Sequence, residues 1–294
     1  MAHLSGRGSL KGREISDIDS LTGPAGNGII VENGIITRID DSKVLEEEFG
    51  SENSHKEKSS TLENKIYSLQ GKAVIPGLVD AHTHLLWAGD RSREVSWRQQ
   101  GHSYSDIASM GGGIVSTVEA TRNSSQSELV ELGYKRLRGA FRNGSTHLEI
   151  KSGYGLSTEA ELKLLLAGQE LANMQHLPSI DQPWLGAHAT PKGNTRQNYV
   201  EEILSEQLPS VIDQGIARSA DVFCEPGWFT VEESEDILKQ SKQGGLDLRI
   251  HIDEFTDGGG GDLAADLKVA SADHSHYTSN DARMRMQEAG VNCG

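Results

Sequence analysis

Apolar and polar positions along this chain fall into two rhythms. Short apolar runs of strand length occur at Ala73–Val79, His147–Lys151, Trp184–Ala187, Asp221–Cys224, Leu248–His251 and Val269–Ala272. Between them lie stretches with a helical spacing of apolar residues: Ser127–Arg142, Thr158–Ala172, Asn198–Gln207 and Val231–Gln243. Strand followed by helix, repeated, predicts parallel βαβ units. Gly290-Val291-Asn292 reads as the start of one further strand. Before residue 73 the rhythm differs. Gly28–Val31 and Gly34–Ile39 are two β-rich runs around Glu32-Asn33-Gly34, and Asn-Gly is a hairpin-turn signal. Ser42–Asn64 is rich in Glu, Ser and Lys, which predicts an exposed, mobile insertion.

The ends of the strands carry the chemistry. Ala73–Val79, opened by Pro76-Gly77, has the look of a buried strand and runs into Asp80-Ala81-His82-Thr83-His84. Side chains two apart on a strand share a face, so His82 and His84 point the same way. The other strands end in, or just before, Lys151 with Tyr154, His188, Glu225, His251 with Glu254, and His274. Polar residues at every strand end predict a (β/α)₈ TIM-type barrel, whose chemistry sits at the C-terminal rim. A doubly wound sheet would gather them at one switch point instead. Six strands are visible with a seventh begun, so the expected barrel lacks its last strands and the chain reads as one that stops early.

Converging histidines with an open position suit a catalytic zinc or iron. Such an ion lowers the pKa of water to about 7, and a nearby carboxylate can then move the proton. Glu254 is the best-placed carboxylate, while His274 fits a ligand, a base or an electrophile.

Composition narrows the partners. Lys and Arg number 28 against 43 Asp and Glu, a net charge of −15 over 294 residues. That argues against nucleic acid and against anionic membrane surfaces. No apolar run approaches a membrane span, and MAHLSGRGSLKGREISD carries no apolar signal core. Cys224 and Cys293 offer no disulfide framework, so a reducing, cytoplasmic setting is the default.

Several segments together resemble the amidohydrolase superfamily and, within it, the imidazolonepropionase family. They are PGLVDAHTHL (Pro76–Leu85), Gly89-Asp90-Arg91, Gly111-Gly112-Gly113-Ile114 with Ser116-Thr117, EIKSGYGL (Glu149–Leu156), Leu185-Gly186-Ala187-His188, Phe223-Cys224-Glu225, His251-Ile252-Asp253-Glu254-Phe255 and Ser271-Ala272-Asp273-His274. EIKSGYGL is the most discriminating. The resemblance implies an incomplete metal-dependent barrel over 73–294 and part of a small composite β-sandwich, with the polar insertion, over 1–72. It implies hydrolysis of the cyclic amide C–N bond of 4-imidazolone-5-propanoate to N-formimidoyl-L-glutamate, with one divalent metal, zinc or iron.

By the same resemblance His82, His84 and His251 match metal ligands. Arg91, Tyr154, His188 and Glu254 match substrate contacts, and Glu254 and His274 match the groups beside the attacking water and the substrate carbonyl. Arg91 offers a donor fork suited to a carboxylate tail. A further metal-site Asp of the family, on the eighth strand, has no counterpart in the chain. Some superfamily members bridge two metals with a modified lysine on the fourth strand; Lys151 sits on the second, which favours a single metal. A homodimer is the usual assembly of what the chain resembles. Two other readings stand beside this one: a related deaminase acting on a nitrogen heterocycle, and an inactive fragment.

Overall fold

The computed structural model describes residues 23, 25–50, 66–69, 71–103, 106–107 and 110–294. The chain divides into two compact units, Met1–Pro76 and Gly77–Gly294.

In the first unit β1 (Asn27–Glu32) and β2 (Ile35–Asp41) form an antiparallel hairpin. Asn33 and Gly34 turn the chain with φ of 51° and 80°, the left-handed pair that a tight hairpin requires. Ser42–Gly50, expected as the start of an irregular insertion, forms helix α1. Asp41 explains its start: Oδ1 accepts the Lys43 N–H at 2.8 Å, as an N-cap does. Leu45 is the buried residue of this helix. Residues 51–64 of the expected insertion lie outside the described residues.

The second unit is an α/β fold with parallel sheets. Its elements, in order, are β3 (Leu78–Asp80), α2 (Arg93–Gln99), α3 (Ile114–Asn123), α4 (Gln126–Arg142), β4 (Ser145–Glu149), α5 (Thr158–Ala172), β5 (Ser179–Asp181) and β6 (Pro183–Ala187). There follow α6 (Arg196–Glu202), a π-helical turn (Ile203–Gln207), α7 (Leu208–Gln214), β7 (Ser219–Cys224), α8 (Val231–Gln243), β8 (Asp247–Ile252), α9 (Gly260–Leu267), β9 (Ser271–His274), α10 (Asn280–Ala289) and β10 (Asn292–Cys293).

Strands pair in the orders β3-β4-β5 and β10-β9-β8-β7-β6, all parallel. Beyond the end of β4, Ile150 N–H extends the ladder to β5 by donating to Asp181 O at 2.8 Å, and Ser152 N–H joins the two runs by donating to Pro183 O on β6 at 3.1 Å. The joined sheet is curled. β3 and β9 are five strand steps apart, about 24 Å if flat. Yet His82, just past β3, lies 3.1 Å from Asp273 on β9.

Four differences from the expected elements have local causes. β3 begins at Leu78 because Pro76 has no N–H and restrains Ile75, so neither joins the ladder. Nor is β3 buried. Leu78 and Val79 are 53% and 63% exposed, because among the described residues the strand pairs with β4 alone. Gly77 is forced by close approach, since a Cβ there would stand 2.0 Å from Thr146 Oγ1. The helix expected at Asn198–Gln207 continues to Gln214 through the π turn. Pro209 supplies no N–H and crowds the preceding turn, and the wider turn makes room for it. β9 begins at Ser271, after Val269, whose N–H caps α9 by bonding Ala264 O at 3.2 Å.

The helices are tied at their starts. Ser125 with Glu128 and Thr230 with Glu233 form capping boxes on α4 and α8. Two apolar clusters fill the space between helices and sheet. The larger gathers Trp184, Tyr199, Val222, Ile237, Ile250 and Leu263; the smaller gathers Leu86, Leu129, Leu148 and Leu164.

Candidate active site

The site forms at the C-terminal ends of the strands. His82 and His84 follow β3, held by two bonds to the neighbouring strand: Lys151 N–H donates to Thr83 O at 2.8 Å, and Thr83 Oγ1 donates to Glu149 O at 2.5 Å. Arg136 secures the next turn, with Nη1 on the carbonyls of Leu85 and Trp87 at 2.7 and 2.8 Å and its guanidinium over the Trp87 ring. β8 delivers His251, and β9 delivers His274 in a left-handed conformation, φ 73°.

The ligand nitrogens of His82, His251 and His274 lie within 4.8 Å of one another. Ring centroids are 4.8 Å apart for His82–His251, 5.0 Å for His82–His274 and 5.1 Å for His251–His274. His84 stands beside this trio, 5.5 Å from His82 and 5.8 Å from His251. His188 stacks on His84 at 5.0 Å, and Tyr154 touches both rings. Glu254 Oε2 lies 3.8 Å from His274 Nε2. Thus seven of the eight expected site residues gather in one place. Arg91 stands with Tyr154 on the wall of a cleft of about 390 Å³, which Trp87, Glu94, Arg98 and Thr117 also line.

The electrostatics favour neutral imidazoles. Burial, reinforced by His188, His251 and His82, drives His84 well below the usual histidine range. Burial likewise lowers His188 to about 4, aided by His251, and lowers His274 to about 4. Neutral imidazole is the form that binds a metal. His251 Nε2 and His84 Nδ1 are buried with no hydrogen-bond partner among the described residues. Unpaired buried nitrogens carry a desolvation cost that a metal would relieve. The other nitrogen of His251, Nδ1, meets Asp221 Oδ1 at 2.9 Å, an outer partner of the kind that orients metal-binding histidines. These residues therefore fit a divalent cation.

Beneath the histidines is a layer of charges whose pairing no motif predicts. Lys151, fully buried, contacts Glu149, Asp221 at 2.8 Å and Asp273 at 3.0 Å. Burial opposes its charge, but Asp221, Asp273 and Glu149 outweigh burial and hold the ammonium above its ordinary range. Asp221 is likewise resisted by burial, yet His251 and Lys151 keep its carboxyl far below the usual range. Arg249 extends the layer to Glu149 and to Asp181, at 2.5 Å from the latter. A signal was present: charged residues inside apolar strands require partners.

The loop of EIKSGYGL is fixed from behind. Glu161, fully buried, accepts the N–H groups of Gly153, Gly155 and Leu156 at 3.0, 2.7 and 2.8 Å. Arg122 grips the carbonyls of Gly155 and Leu156, both at 2.6 Å. Gly153 takes φ 103°, and a Cβ there would stand 3.0 Å from His188 Nδ1. Glu225 performs the same service for Glu254, accepting its N–H at 2.9 Å and those of Phe255 and Thr256. Arg91 is oriented by a two-pronged bond to Glu94, at 2.7 and 2.8 Å. Glu94 also accepts the Gly113 N–H at 2.7 Å, which gives the Gly111-Gly112-Gly113 run its place at the start of α3.

The fold is shared with a deaminase and a dipeptidase of known structure. Superposition on 5-methylcytosine deaminase from Klebsiella pneumoniae, liganded with phosphonocytosine, gives a TM-score of 0.64 at 16% identity over 92% of this chain and 63% of that one. A Xaa-Pro dipeptidase with methionine in its active site gives 0.51 at 15% identity, over 90% and 60%. No family model matches the chain.

Sequence similarity is more particular. The chain is similar to the imidazolonepropionase of Shewanella sediminis (strain HAW-EB3), 44% identical over 233 residues, which is 78% of this chain and 57% of the relative. The imidazolonepropionase of Shewanella woodyi is 43% identical over 228 residues, 77% and 56%. The chain thus spans a little over half the length of these relatives.

Proposed function

We propose that the site hydrolyses the cyclic amide C–N bond of 4-imidazolone-5-propanoate, releasing N-formimidoyl-L-glutamate, as the named relatives' chemistry suggests. The observation that carries this reading is the convergence of His82, His251 and His274 nitrogens within 4.8 Å, with His84 alongside and Glu254 at the edge. A divalent ion, zinc or iron, held by His82, His251 and His84, whose buried Nδ1 has no partner among the described residues, would supply a Lewis acid that brings the pKa of water to about 7 and would leave His274 of the converging trio for the substrate.

The remaining work falls to the chain. Glu254 takes the proton of the attacking water and returns it to the departing ring nitrogen. His274, neutral and turned toward the same point, polarises the substrate carbonyl as oxygen adds to its carbon. The C–N bond then breaks, and the ring opens. Arg91 receives the propanoate carboxylate, with Glu94 fixing the plane of its guanidinium and Arg98 adding positive charge to the same cleft. Tyr154 and His188 hold the ring against His84.

The curled parallel sheet supports a TIM-type barrel wall for residues 73–294, and the β1–β2 hairpin supports a share in a small β-sandwich for residues 1–72. We take the enzyme to be cytoplasmic, acting on a small molecule as a homodimer. Among the described residues no helix is long and apolar enough to cross a membrane.

Ring opening, followed as loss of the imidazolone absorbance, tests the reading. The protein loaded with Zn²⁺ or Fe²⁺ should turn over, and H82A should not. Turnover by fully metal-free protein at the loaded rate would defeat it.

A further inference from the structure

Among the described residues Lys151 is the one cation in contact with all three carboxylates of the buried layer. Its Nζ contacts Glu149, Asp221 Oδ2 at 2.8 Å and Asp273 Oδ2 at 3.0 Å, with its own side chain wholly inaccessible. Two groupings of these same residues have the donor spacing of a metal site. One is His82 with Glu149 and Asp273, and the other is Asp221 with His251 and Asp273, each with ligand atoms within 4.8 Å of one another. Both groupings share Asp273, and both adjoin the histidine trio.

We infer that Lys151 occupies the place of a second cation, and that its ammonium is what limits this site to a single divalent ion. The inference rests on the metal reading above. A divalent ion bound to Asp221 and Asp273 would sit about 2.0–2.2 Å from their oxygens. The ammonium already sits against the same two carboxylates, so ion and ammonium cannot both be accommodated. The like charges repel, and both compete for the same lone pairs.

Three carboxylates facing one ammonium also explain why a lysine can stand at this buried position. Removing it leaves uncompensated buried charge, which is strongly destabilising unless another cation replaces it. Lys151 also spans the carboxylates behind two histidines. Asp221 meets His251 Nδ1 at 2.9 Å, and Asp273 meets His82 Nδ1 at 3.1 Å. A cation at this point therefore sets the direction in which both rings present their other nitrogen, whichever cation it is.

The test is metal stoichiometry, with Co²⁺ alone as the probe, on wild-type chain, K151A and K151R. Bound cobalt per chain is measured by elemental analysis after desalting, with calorimetric titration and thermal melts at each equivalent. Wild type should bind one ion. K151A, with the ammonium gone and space opened, should bind two, and its Tm should rise again between the first and second equivalents. K151R keeps the charge and should stay at one. K151A that folds but stops at one ion overturns the inference. So does K151A that stays unfolded in excess Co²⁺, and so does wild type that binds two. Wild type that binds none defeats instead the metal reading on which the inference rests.

Discussion

Arg249 and His251 lie two residues apart on one face of β8, and their surroundings could hardly differ more. Arg249, toward the start of the strand, is bonded through all three of its nitrogens, to Glu149, Asp181 and Ser219. Beside it the strand starts enclose a second cavity of about 530 Å³, lined by His147, Asp181, Arg218 and Asp247 among others. His251, at the strand end, keeps Nε2 buried and without a partner. The strand ends also hold three non-glycine residues in the left-handed region, Asp253, His274 and Ser275, at φ of 49°, 73° and 46°. Left-handed non-glycine residues cost free energy and persist where the surroundings over-determine them. Asp253 shows how: it accepts from Gly258 N–H at 2.9 Å and from Thr278 Oγ1 at 2.6 Å. One end of the sheet satisfies its charges, and the other leaves donors waiting for a ligand.

That contrast is most sharply broken at the waiting end. H251A should abolish ring opening and weaken Zn²⁺ binding by at least the 10–100-fold that loss of an outer-layer partner alone costs. Competition with a chromophoric chelator reads the second quantity. Normal affinity in H251A would remove His251 from the ligand set. E254Q should come next. It should retain the metal and the melting temperature while kcat falls by about 10²–10⁴, the range of a general acid–base. Single-turnover rates with stoichiometric zinc check this, and an unchanged rate would reassign the proton transfer.

The two ends were not equally legible in the sequence. His82, His84, His188, His251 and His274 could be read because each stands at or just past the end of an apolar run, where strand periodicity predicts a shared face, and Glu254 because it follows His251 by three positions. The paired end could not be read in the same way. Asp221 and Lys151 are visible as charges inside apolar strands, but their contact spans 70 residues of sequence. Nothing in a period of two says which strand will be opposite which. β3 was read as buried from its apolar residues, whereas its exposure follows from its position in the strand order. α9 opens on Gly260-Gly261, poor helix formers whose use here is close packing: a Cβ on Gly261 would stand 2.5 Å from Thr278.

At the satisfied end the expected effect is on stability. R249M leaves Glu149 and Asp181 without their guanidinium and should cost about 3 kcal/mol in denaturant unfolding, the lower range for breaking a buried pair. Metal stoichiometry should be unchanged, and a loss of metal in folded R249M would show that the two ends are coupled. R91K lies between the two behaviours. Lysine replaces the two-pronged bond to Glu94 with a single point of contact, so the substrate carboxylate loses its oriented partner. The expected loss is about 1–3 kcal/mol in kcat/KM. If R91K is kinetically silent, Arg91 serves α3 through Glu94 and not the substrate.

The smallest effect separates the two faces of a single strand. On β7, Asp221 and Phe223 face the histidines, the latter with its ring 5.9 Å from His251. Alternation turns Cys224 to the opposite face, where it joins the cluster containing Ile237 and Leu238. Burial pushes its thiol up to about 11, with Ser234 pulling only partly the other way. The thiolate is the reactive form, so at pH 8 about one thiol in a thousand is ionised at this position. Iodoacetamide at pH 8 should therefore modify exposed Cys293 and spare Cys224 in the folded protein. As pH rises toward 11 the thiolate fraction grows, and labelling of Cys224 should rise with it until burial alone limits access. Peptide mass spectrometry reads both sites in one sample. Equal labelling at pH 8 would mean that the outer face of β7 opens to solvent, and that the division between a reactive inner face and an inert outer one does not hold.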